Sequence, residues 1–164
     1  MSTRELNQFE EGVLSNIRES GCHITGVFDP DGEAPAFAYS VGFTETVGQS
    51  EVIVFGLDFQ LMAATINETL DQCRKGLVLT DGLRIAGLLE GFDCIVRLVP
   101  VGNIVADYFN SAMWFHRRRT GEELSQAFQI VWPGYHDGLF PWEPGADPET
   151  IASQRVLYEM SISA

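Results

Sequence analysis

The chain has 164 residues, 45% of them hydrophobic, and a formal net charge of −13. That is enough apolar material for one core, and a single domain over 1–164 is expected. With Lys75 as its one lysine, so acidic a protein is repelled by phosphate backbones and anionic bilayers, so neither nucleic acid nor membrane is expected as a partner.

In chain order, Ser2 and Glu5 stand at capping-box spacing, and Leu6, Phe9, Val13, Leu14 and Ile17 recur at helical period. A helix closed by Gly21 is predicted. A strand over 22–28, the turn Asp29-Pro30-Asp31-Gly32 and a second strand over 36–43 make a hairpin. The second strand has unequal faces: Phe37, Tyr39, Val41 and Phe43 on one, Ala36, Ala38, Ser40 and Gly42 on the other. Something approaches the small face closely, either a packed helix or a ligand. The apolar run over 51–57 reads as an interior strand. Asp58 then caps a helix striped by Phe59, Met62, Ala63, Ile66, Leu70 and Cys73, and Arg74-Lys75-Gly76 ends it.

Runs over 77–80 and 83–85 flank Asp81-Gly82 and predict a second hairpin. A strand over 94–99 follows, stopped by Pro100. Asn103 is the expected cap of a helix carrying Tyr108, Ala112 and Phe115, which ends in His116-Arg117-Arg118-Arg119. Those arginines suit a helix C-terminus, with Glu122 and Glu123 behind them as neutralising partners, and are read as structural. Asp147-Pro148-Glu149 begins a last helix, through Arg155 to Tyr158. The whole predicts an α+β domain with a largely antiparallel sheet of about five to seven strands and three or four helices. Cys22, Cys73 and Cys94 are well separated and lack zinc spacing; with no apolar signal core in the first residues, they suggest reduced thiols in a cytoplasmic protein.

The most distinctive stretch is the segment 129–145. A strand in which Phe128, Ile130 and Trp132 alternate with Gln129 and Val131 runs into Pro133, which has no N–H to extend a ladder. The residues beyond hold Trp142, Pro141, Pro144 and three glycines, too apolar for a linker and too broken for a helix. An ordered loop is expected there, with any functional site on it.

Three stretches carry a family likeness: Phe37-Ala38-Tyr39-Ser40-Val41-Gly42-Phe43, Val52-Ile53-Val54-Phe55-Gly56-Leu57, and Gln129-Ile130-Val131-Trp132-Pro133 with Phe140-Pro141-Trp142-Glu143-Pro144-Gly145. Together they resemble the bacterial domain of unknown function 4262 family over most of the chain. The resemblance implies a small soluble bacterial protein and supplies no reaction. Members often have Asp after the Trp-Pro, where this chain has Gly134, so if that acid has a general role in the family this protein either lacks it or uses Asp137. The order of elements from Ala36 to Cys73 is also similar to that of the flavin-binding split barrels.

No dinucleotide, P-loop or α/β-hydrolase motif is present, so no reaction or cofactor is named by the sequence. His136, Asp137 and Glu143 are the acid–base candidates. Tyr39, Ser40, Gln129, Trp132 and Trp142 are the ligand-binding candidates, with Tyr39 and Ser40 the available hydroxyls. No metal site is expected, because His116, His136, Asp137 and Glu143 are not at helical ligand spacing. Two functions remain open: a pocket for a small molecule or cofactor between the 36–42 strand and the 129–145 loop, or a protein-interaction module using the Trp-rich loop and the acidic surface.

Overall fold

A computed structural model describes residues 5–159. It is an α+β domain of six strands and five helices. Helix α1 (Gln8–Ser20) starts later than the sequence suggested. Its capping box is Asn7 with Glu10, each side chain bonding the other's backbone N–H at 2.8 and 3.1 Å; Ser2 lies outside the described residues.

The strands are β1 (His23–Val27), β2 (Phe37–Val41), β3 (Glu51–Phe55), β4 (Arg84–Leu89), β5 (Phe92–Leu98) and β6 (Ala127–Val131). They form one open sheet in the order β1-β2-β3-β6-β5-β4. Every neighbouring pair is antiparallel except β3–β6, which is parallel and central. With β1 and β4 at its edges, the sheet does not close, so the likeness to split barrels ends at element order.

The small face of β2 is covered by protein. Helix α3 (Phe59–Arg74), capped by Asp58 through Leu61 N–H at 3.0 Å, lies on it. Met62, Ile66 and Leu70 join one core with Ala38, Val52, Val54, Phe128 and Ile130. Burying each of those three large side chains contributes about 1.5–3 kcal/mol. Ala38 is small because a helix axis must approach there, which leaves no floor for a ligand.

On the other face, Phe37, Tyr39, Val41, Ile53 and Phe55 pack against Val13 and Ile17 of α1 and against Phe109, Ala112 and Phe115 of helix α4 (Ala106–Thr120). Phe43 departs from the expected alternation. Gly42, at φ 114°, turns the chain into the short helix α2 (Phe43–Thr46) and swings Phe43 into the α3-side core.

Two further expectations change. Residues 77–80 form no strand, and Asp81 instead accepts Leu98 N–H at 2.8 Å and Arg97 Nε–H at 3.1 Å. The hairpin is β4–β5, which turns at Glu90-Gly91. Asn103 donates to Leu157 O at 2.7 Å rather than capping α4, which starts after Val105 with no side-chain cap. Helix α5 (Pro148–Ser153) stops short of Tyr158.

Candidate functional site

Strand β6 delivers its end to the 132–147 loop, and the loop is ordered by its own polar groups. Asp137 accepts Leu139 N–H at 2.9 Å and Asp147 N–H at 3.2 Å, one on each carboxylate oxygen. Glu143 accepts Phe140 N–H at 3.0 Å. Gly134 donates its N–H to Leu139 O at 2.8 Å, closing the turn. A Cβ at Gly134 would collide with Asp137 Oδ1, so the Asp137 carboxylate fills the space that a side chain at position 134 would need.

The expected acid–base group is therefore not assembled. Both Asp137 oxygens and one Glu143 oxygen hold the loop backbone, and His136 bonds neither carboxylate among the described residues. His136 is exposed and lies edge-on to Tyr135, ring centroids 5.1 Å apart. Among the described residues, no three His, Cys, Asp or Glu side chains are grouped to hold a metal.

The expected ligand-binding residues separate too. Tyr39 points to the α4 side, where its hydroxyl accepts Ser111 N–H at 3.0 Å. Ser40 donates to Glu51 Oε1 at 2.7 Å and accepts Val52 N–H at 2.9 Å, fully buried. Gln129, also fully buried, donates to Arg155 O at 2.7 Å and accepts Leu157 N–H at 3.0 Å. It fastens the C-terminal segment to the sheet. Trp142 stacks on Phe140 at 5.2 Å and meets Tyr158 edge-on at 5.7 Å. The Arg97 guanidinium lies over Trp142 at 4.9 Å and over Tyr158 at 4.8 Å. All four are held by contacts within the protein.

Trp132 differs. Its Nε1–H donates to Phe55 O at 2.7 Å and its backbone exchanges two bonds with the Gln154 side chain, at 3.1 and 2.8 Å. Its ring is only partly buried, and it forms a wall of two adjoining cavities. One, of about 300 Å³, is apolar, lined by Leu57, Leu61, Leu89, Phe92, Trp132, Pro133 and Tyr135, with Glu90 as its one charged member. The other, of about 230 Å³, is polar, lined by His136, Asp147, Glu149, Thr150 and Ser153 together with Trp132 and Tyr135. Tyr135 divides them, 77% exposed and against Phe92 at 5.8 Å. Neither cavity contains a basic residue other than His136, and neither reaches Tyr39 or Ser40.

The sequence reading missed Glu51, an acid at the head of an apolar run. It is fully buried, and accepts from Ser40 Oγ at 2.7 Å, Gly42 N–H at 2.8 Å and Phe43 N–H at 3.1 Å. Burial pushes its carboxyl up to about 7, against those hydrogen bonds. The clue was available: a lone carboxylate in such a strand must find several donors or stay out of the core. The three cysteines are free and buried, and burial pushes Cys22 and Cys94 up to about 12 and Cys73 to about 11, so none is a reactive thiolate.

The molecule is thus an α+β domain with an open, two-compartment cleft beside the end of its central parallel strand pair. The chain belongs to the family described as a domain of unknown function (DUF4262), whose model matches residues 16–147. No curated protein and no solved structure matches it. No helix among the described residues is long and apolar enough to cross a membrane.

Proposed function

We propose that the domain binds a small molecule in the cleft divided by Tyr135. The observation that carries this reading is the sharing of the Trp132 and Tyr135 walls by an apolar and a polar compartment. An apolar body fits the first, and a polar group on it reaches the other, the usual division of labour in ligand sites. Asp147 and Glu149 in the polar compartment and Glu90 at the apolar one favour a positively charged or donor-rich group, so small aromatic or aliphatic amines are the matching class. The free, buried thiols suit a reducing compartment, consistent with a cytoplasmic protein.

The test is a matched pair of probes, 2-phenylethylamine and 3-phenylpropionate, titrated while amide and methyl NMR shifts are recorded. The amine is expected to move Leu57, Leu61, Leu89 and Tyr135, and Tyr135→Ala to remove the effect. Equal response to both probes, or shifts elsewhere, would reject the site. A second reading, a protein-docking loop, draws on the exposure of Tyr135 and Leu61; it predicts a partner-dependent change in sedimentation that Tyr135→Ala abolishes, with neither small probe binding.

A further inference from the structure

We propose a second binding site, for an organic dianion, in a cavity of about 620 Å³ between α1, α2 and the end of α4. Its chemistry begins with the arginines. Eight of them fall among the described residues: Arg18, Arg74, Arg84, Arg97, Arg117, Arg118, Arg119 and Arg155. Arg74, Arg84, Arg97 and Arg117 each pair with a carboxylate, Asp71, Asp93, Asp81 and Glu123 respectively. Arg155 lies over the Tyr108 ring at 5.6 Å. The three that remain, Arg18, Arg118 and Arg119, make no ion pair among the described residues, and all three line this one cavity.

The sequence reading assigned Glu122 and Glu123 as the partners of the arginine run. That holds for Arg117, which Glu123 grips with both oxygens at 2.6 and 2.7 Å. It does not hold for the other two. A helix C-terminus explains why arginines are tolerated at 118 and 119, and equally at Arg18 in the last turn of α1. It does not explain why arginines from two separate helix ends, without ion pairs among the described residues, line the same space. In a chain of net charge −13, where carboxylates outnumber cations, three arginines in one place with no ion pair among the described residues are conspicuous.

The rest of the lining defines the ligand. Leu14, Ile17 and Phe115 give an apolar floor, and Glu45 is the one carboxylate, against three guanidiniums. The volume lies within the range of small-molecule sites. Arginine forks bind phosphate and carboxylate oxygens two at a time, and two such groups suit a doubly charged head. The fitting class is therefore a phosphate monoester or dicarboxylate carrying an apolar group of about one ring. This cavity shares no residue with the cleft at Tyr135.

The full chain is titrated calorimetrically with phenyl phosphate, benzylmalonate and, as an uncharged control, benzyl alcohol. At least one dianion is expected to bind, with benzyl alcohol silent; the better dianion identifies the head group. Arg18→Ala and Arg119→Ala should each weaken that binding about tenfold or more, the worth of one charge-assisted hydrogen-bonding group. Arg117→Ala removes the same charge from the same helix end but faces Glu123, and should change affinity less than about twofold. All three side chains are exposed, and unchanged melting temperatures verify that the variants fold. The proposal is overturned if neither dianion binds below about 10 mM, if benzyl alcohol binds as well as they do, or if Arg117→Ala costs as much as the cavity variants.

Discussion

The Tyr135 cleft and the arginine cavity differ in what their charged groups already hold. Around the loop, carboxylates are engaged with backbone: Asp137 with Leu139 and Asp147, Glu143 with Phe140, Asp147 with Glu149. In the arginine cavity the guanidiniums have no carboxylate partner among the described residues. The loop is conspicuous in sequence, and its polar residues build its own backbone. The arginines pass for ordinary helix ends until the fold brings them together. Motif density marks a structure that needs particular residues, whereas unmet hydrogen-bonding capacity marks a surface that can bind.

Substitutions can break this contrast. Trp132→Ala should have the largest effect, a loss of about 3–5 kcal/mol measured by the denaturation midpoint, since it removes a packed ring and orphans Phe55 O. A loss below about 1 kcal/mol would make Trp132 a ligand wall with little structural role.

The next is a pH effect belonging to neither cavity. The native Glu51 carboxyl titrates at about 7 while the unfolded one titrates near 4.5, so folding takes up a proton between those values. Its favourable contribution is complete below pH 4.5 and is lost as pH rises through 7. Relative to Glu51→Gln, the wild type should lose roughly 3 kcal/mol across that window. A difference that does not vary with pH would place the carboxyl at its ordinary value. Ligand binding at either cavity should be indifferent to this titration.

Asp137→Ala should cost about 1–2 kcal/mol by releasing the Leu139 and Asp147 N–H groups. An unchanged melting temperature combined with lost binding would reverse this, assigning the carboxylate to a ligand. The smallest stability effect belongs to Tyr135→Ala, within about 0.5 kcal/mol because the ring is exposed; probe binding at the cleft should nevertheless vanish. If stability falls instead, the ring is part of the fold.

Some of this was legible in the chain. Alternating faces in β2, the Asp58 cap and the terminating Pro133 are local, because side-chain period and proline stereochemistry act within a few residues. Hence an α+β domain with six strands fell within expectation, as did an ordered loop after β6. The false hairpin at Asp81-Gly82 shows the limit: the turn is real, but Asp81 serves β5 across the chain, and only that long-range bond decides what the turn connects.

The sequence by itself determined the alternating faces of β2, the Asp58 cap and the stop at Pro133, since side-chain period and backbone stereochemistry are properties of short segments. It did not determine burial, for Phe9 of the predicted α1 stripe is 56% exposed and Glu51 is fully buried. The tertiary structure alone decided which polar groups would satisfy one another. Gln129 and Leu157 are 28 positions apart, and Arg18 lies a hundred positions from Arg118. No spacing rule links them, because hydrogen bonds and charge pairing depend on distances of a few ångströms that exist only once the sheet is covered by its helices.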